Sequence, residues 1–150
     1  WNTTDGSTGE SWLPIAGRNI WFEVRAAISD ATQSDFLVGL VVTDTTPLTN
    51  ANGIYFRKDD GDTQIDFESN SGSVASTSSN VATMDTGFHT YGFKVTGVDR
   101  VAAYIDGVLE ATITSQIPTT ELRLTFHHQN GEAVAKIARW DYVHIAQTRV

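Results

Sequence analysis

Apolar and polar positions alternate along this chain with a period of two, in short runs separated by turn residues. Ile20, Phe22, Val24, Ala26 and Ile28 alternate with Trp21, Glu23, Arg25 and Ala27, which predicts a long strand with one face on a core. Phe36, Val38, Leu40 and Val42 predict the next strand. The apolar Leu37 and Val41 between them predict cover on both of its faces. Ile54 and Phe56 run into a turn at Lys58-Asp59-Asp60-Gly61-Asp62, and Ile65 and Phe67 leave it. Tyr91, Phe93 and Val95 resume the pattern, then Val101, Ala103 and Ile105. Asp106-Gly107 supplies the strongest hairpin signal, leading into residues 108–114. Leu122, Leu124 and Phe126 make a further strand, Asn130-Gly131 turns the chain, and residues 133–146 close it. The stretch 69–80 (SNSGSVASTSSN) is Ser-rich and uncharged, and predicts a loop with at most a weak edge strand.

No window of about 11 residues carries a helical period. Roughly nine or ten short strands joined by Gly, Asn and Asp turns predict an all-β fold, a two-sheet antiparallel sandwich or jelly roll. At 150 residues the chain suits one such domain, expected over residues 18–150. Residues 1–17 hold a single short apolar cluster (Trp12, Leu13, Ile15) and read as an N-terminal extension. The chain starts at Trp1 without Met, which fits a piece of a longer polypeptide.

Charge narrows the partners. The net charge is −8, and residues 1–75 carry 4 basic against 11 acidic side chains. No basic cluster exists to grip phosphates, so nucleic acid is not an expected partner. No apolar run nears the ~20 residues of a membrane helix. The absence of cysteine removes disulfides and thiolate zinc sites.

The segments Gly87–Ile113 (GFHTYGFKVTGVDRVAAYIDGVLEATI) and Trp140–Arg149 (WDYVHIAQTR) resemble the concanavalin A-like lectin/glucanase superfamily, and more narrowly a laminin-G-like jelly roll. Ser29–Thr46, Phe56–Asp62 and Gln129–Lys136 are similar to uncharacterised virion structural proteins of tailed bacteriophages, cyanophages among them. That resemblance implies a non-enzymatic structural role on the exterior of a virion, as a capsid decoration or a tail- or fibre-associated domain. Its implied partners are other virion proteins such as the major capsid protein, further copies of itself, and surface polysaccharide. A lectin-like carbohydrate-binding domain is the alternative, and a glycoside hydrolase a remote one.

Gln64-Ile65-Asp66-Phe67-Glu68 resembles the Glu-x-Asp-x-Glu strand of retaining glucanases in that superfamily, with Gln at the first position. A retaining mechanism needs a carboxylate nucleophile beside a carboxylic acid, and an amide cannot serve. The residues themselves read as the polar face of a hairpin strand, so no catalytic residue is assigned. Asp59, Asp60 and Asp62 suit a hard cation by type but not by spacing. No cofactor or metal site is assigned, and only weak Ca²⁺ binding is left open. His127 and His128, adjacent on a strand, point to opposite faces and do not share a metal; with His89 and His144 they read as surface or packed histidines. Trp12, Trp21, Tyr55, Tyr104, Trp140 and Tyr142 are the rings able to stack on a sugar or a protein partner; Trp21, Tyr55 and Tyr104 fall opposite the inward register, and these three with Trp140 are the candidate contacts for a glycan or protein partner.

Overall fold

The computed structural model describes residues 10–149. Alternation sorts them into two antiparallel sheets whose inner faces share one core. The strands are β1 (Ser11–Trp12), β2 (Asn19–Ile28), β3 (Ser34–Val41), β4 (Gly53–Lys58), β5 (Gln64–Ser71), β6 (Val74–Thr83), β7 (His89–Thr96), β8 (Arg100–Ile105), β9 (Val108–Ile113), β10 (Leu122–Asn130) and β11 (Ala138–Gln147). One sheet runs β1-β10-β3-β4-β5-β6 and the other β11-β2-β7-β8-β9. A 3₁₀ turn at Pro47–Thr49 interrupts the connection between β3 and β4.

The core is aromatic at its centre. Phe22 stacks on Phe93 within one sheet (4.6 Å), Phe56 packs on Phe67 within the other (4.8 Å), and Phe56 meets Tyr91 across the interior (5.5 Å). Each such ring, taken out of water, contributes about 1.5–3 kcal/mol, and together they fix which face of each strand turns inward. Leu37, Val41 and Tyr55 form a second apolar cluster on the outside of the six-stranded sheet, capped by Leu48 of the 3₁₀ turn. This is the double cover that the unbroken apolar run of β3 predicts.

Turn chemistry behaves as the sequence demands. Asp106 and Gly107 both take positive φ (49° and 80°), the geometry of a two-residue hairpin whose twist matches its strands.

Two stretches differ from expectation. The Ser-rich segment is not a loop: β5 continues to Ser71, Gly72 (φ 61°) and Ser73 (φ 65°) turn the chain, and β6 is a ten-residue edge strand. Its outer residues need no apolar side chains because an edge strand held by backbone bonds faces solvent. Where Asp66 faces β6 the register slips, from Ile65↔Ala82 to Phe67↔Ser78. The Asn80 N–H (φ 57°) donates to Asp66 Oδ1 there, at 2.8 Å. The stretch 1–17, read as an extension, is in part drawn into the sandwich: Ser11 and Trp12 pair with Arg123 and Leu122 of β10. Residues 1–9 lie outside the described residues.

Candidate functional site

Two outer faces are available for a ligand, and they differ. On the six-stranded sheet, the 3₁₀ turn closes the centre, and Tyr55 and Glu68 beside it are engaged with each other. The Tyr55 hydroxyl donates to Glu68 Oε2 (2.6 Å) and accepts from Asn70 Nδ2 (2.7 Å). Burial, with the Glu68 carboxylate beside it, pushes the Tyr55 hydroxyl pKa well above its ordinary value. Gln64, Asp66 and Glu68 do share this face, as a period of two requires. Asp66 holds the β6 bulge, Glu68 holds Tyr55, and Gln64 meets Thr83 (3.3 Å).

The five-stranded sheet carries an open groove of about 370 Å³. Its floor is Gly92 of β7, flanked in register by Glu23 of β2 on one side and Tyr104 of β8 on the other. Two positions along, Trp21 lies opposite Lys94. Trp21 is 40% exposed, and the Lys94 ammonium rides 5.6 Å from the centre of its ring. Beyond β2, His144 and Ala146 of β11 complete the wall. Glu23 Oε1 accepts the Tyr142 hydroxyl at 2.9 Å, and the Tyr142 ring stacks on His144. The groove exists because one outward position is a glycine between large neighbours. A Cβ at Gly92 would project into it, 3.2 Å from the Phe22 carbonyl and 3.8 Å from Glu23 Cγ.

Of the four aromatic contact residues expected from sequence, the structure gathers Trp21 and Tyr104 into this groove and removes the other two. Tyr55 does project outward, but Leu48 covers it and it is 1% exposed. Trp140 turns inward, stacking on Phe126 (4.3 Å) and Phe36 (5.7 Å). The cause is a bulge: Trp140 pairs with Ala26 and Tyr142 with Arg25, so Asp141 is extra and the alternation inverts across it. Glu23, Gly92 and Lys94 were not singled out in the sequence. Gly92 was the available signal, a glycine at an outward position inside the strong strand pattern Tyr91-Gly92-Phe93.

One end of the groove abuts a histidine clamp. Thr90 and Gly107 line the groove, and between their neighbours His89 Nδ1 meets Asp106 Oδ2 at 2.6 Å while Nε2 meets Asp85 Oδ1 at 3.0 Å. The Asp106 carboxylate, then that of Asp85, holds the His89 pKa above its ordinary value. Burial instead lowers those of His127 and His128. The signs therefore oppose. The His89 contribution to stability is complete below about pH 6.5 and is lost as pH rises through its raised folded value. Those of His127 and His128 are present above about pH 6.5 and are lost as pH falls through their lowered values. A His89→Gln variant should be destabilised relative to the parent most at pH 5.5 and progressively less towards pH 8.5, measured by urea unfolding at each pH. A difference that does not change with pH would remove the charged clamp.

Two carboxylates of the β4–β5 turn, those of Asp59 and Asp62, have protein partners, while Asp60 is held through its backbone N–H. Asp59 pairs with Arg57 (2.6 Å), the Asp60 N–H donates to Asp35 Oδ1 (2.8 Å), and Asp62 Oδ1 accepts the Gln64 N–H (2.9 Å). Among the described residues no group of three or more His, Cys, Asp or Glu side chains is arranged to hold a metal ion.

No family model matches the chain, and no curated relative does. Solved structures do. A native glycosidic hydrolase is similar over 91% of this chain and 65% of its own, at 18% identity and a TM-score of 0.63. The Bacillus licheniformis β-glucanase is similar over 92% of this chain and 66% of its own, at 17% identity and 0.60. The Caenorhabditis elegans galectin LEC-6 matches 93% of this chain and 91% of its own, at 13% identity and 0.54. The fold is the concanavalin A-like jelly roll. The chain thus spans just under two thirds of the length of the two hydrolases and nearly all of the galectin, and at these identities the likeness is one of fold.

Proposed function

We propose that this domain is a non-catalytic carbohydrate-binding module, and that the groove on its five-stranded sheet is the binding site. One observation carries the reading: an exposed Trp21 and the half-buried Tyr104 stand on either side of a side-chain-free floor at Gly92, with a carboxyl acceptor (Glu23) and an amine donor (Lys94) beside them. Aromatic faces pack on the C–H face of a sugar ring while charged groups bond its hydroxyls. The similar folds, two named as glycan-cleaving enzymes and one as a galectin, support it as analogy. Gln64 at the position of a nucleophile supports a binding rather than a cleaving role.

Trp21→Ala should weaken binding of a glycan hit about 3- to 10-fold, read by isothermal calorimetry against the parent. A glycan array without signal above background would remove the proposal.

A second reading sets the module on a virion exterior as a structural subunit. The exposed Val108 and Leu109 on edge strand β9, with Val134 and Ile137 nearby in sequence to β11, favour contacts with another protein. Electron microscopy of particles from the native source tests it: ordered copies support it, whereas a monomer that binds no capsid component counts against it. Turnover of β-glucan that disappears in Asp66→Asn would replace both readings with a hydrolase.

A further inference from the structure

We infer that the groove takes about three consecutive pyranose rings of a neutral oligosaccharide and discriminates against acidic ones. This deepens the proposal above and rests on it. The geometry sets the length. Trp21 lies on β2 in register with Lys94, and Tyr104 lies on β8 in register with Gly92. Their Cα positions are therefore two strands and two residues apart, about 12 Å from strand spacings of ~4.8 Å and a rise of ~3.4 Å. That span is more than the distance between neighbouring sugar rings and suits three in sequence, one on each aromatic and one between them over Gly92. The floor between them is Gly92, which leaves the passage open, and the 370 Å³ of the groove lies in the range of small-ligand sites.

Charge sets the class. The groove presents one carboxylate and one ammonium, on adjacent strands and two residues apart in register. Glu23 is held in place by the Tyr142 hydroxyl at 2.9 Å, and Lys94 rests over Trp21. A fixed acceptor beside a donor matches a pair of neighbouring hydroxyls, each of which both gives and takes a hydrogen bond. An acidic chain would instead set its carboxylates against Glu23, with a single cation to offset them, on a protein of net charge −8. The site is also on the opposite sheet from the Gln64–Glu68 strand, so it owes nothing to the positions that resemble a glucanase.

Calorimetric titration tests this with glucose, with neutral tetrasaccharides (β-1,3- and β-1,4-gluco-, α-1,4-gluco- and β-1,4-galacto-) and with tetragalacturonate, at 20 and 150 mM salt. At least one neutral tetrasaccharide should bind tenfold or more tighter than both glucose and tetragalacturonate. Tyr104→Ala and Trp21→Ala should each cost 3- to 10-fold in that affinity. Glu23→Gln should narrow the discrimination against tetragalacturonate at least threefold, most at the lower salt. Binding that is sensitive to Trp21→Ala but equal for mono- and tetrasaccharide, or tighter for the acid, overturns this inference and leaves the groove as the site. No binding of any saccharide, or binding unchanged by both aromatic substitutions, overturns the groove itself.

Discussion

Gly39→Ala should cost about 3–5 kcal/mol, enough to leave the domain largely unfolded in moderate urea. Gly39 sits in the middle of β3, in register with Tyr55 of β4. A Cβ there would lie 2.3 Å from the Ile54 carbonyl oxygen and 2.6 Å from Tyr55 Cα. Both obstacles are backbone, so no rotamer change relieves them, and β3 and β4 have to part at the centre of the six-stranded sheet. The cost therefore belongs at the upper end of overpacking effects. Gly61→Ala is the control. Its site is open and exposed, so only its positive φ (80°) penalises a side chain, at about 1 kcal/mol. Equilibrium urea unfolding of the two variants decides the matter; a Gly39→Ala midpoint close to the parent's would mean the β3–β4 register is wrong.

Lys58→Met should cost about 1–3 kcal/mol despite preserving most of the side chain's volume. Lys58 ends β4 at an inward position opposite Phe36 and is 1% exposed. Its ammonium donates to the Thr32 carbonyl (3.0 Å) and to the Ser34 carbonyl, tying the β2–β3 loop to the end of β4. Burial lowers its pKa, while Asp60, Asp35, Asp30 and Asp62 work the other way by favouring the charged form. Methionine takes this donor from the buried Ser34 carbonyl, while the Thr32 carbonyl keeps the Gly61 N–H (2.8 Å), and it leaves four carboxylates without their common cation; an orphaned buried acceptor is worth about 1–3 kcal/mol. Thermal and urea unfolding measure the loss. A variant as stable as the parent would show that water reaches these carbonyls freely.

The sheets could be read in the sequence wherever local chemistry alone decided the outcome. Period-two runs identified the inward faces of β2, β7 and β8, and Asp106-Gly107 identified a hairpin that needs two positive-φ residues. Reading failed where the deciding partner lay far off in the chain. Strand β6 carries apolar side chains only near its two ends (Val74, Ala75, Val81 and Ala82) and none in its polar middle, because its pairing comes from β5 more than from burial; only the Gly72-Ser73 pair hinted at the turn. Trp140 is turned inward by one extra residue, Asp141, whose insertion alternation cannot reveal. Tyr55 has the outward register the sequence implied, and a connection seven residues earlier, at Leu48, shuts it away. The groove was half legible: its aromatics stood out, but the missing side chain at Gly92 that makes room between them did not.

The placement of β11 has a consequence for how the chain reaches this state. Among the described residues it is the last strand in sequence, yet it flanks β2, so that Arg25 pairs with Asp141 across 116 positions. Likewise β10 inserts between β1 and β3. Until these late strands arrive, β2 and β3 each expose an unpaired apolar margin, and loop closure over most of the chain has to precede the gain in contacts. Folding on the slow side for its size, milliseconds to seconds, follows from such non-local pairing. On a ribosome the sandwich would stay open along one entire side until residue 147 had emerged, and it is in that interval that the nascent chain is most exposed to pairing with a neighbour.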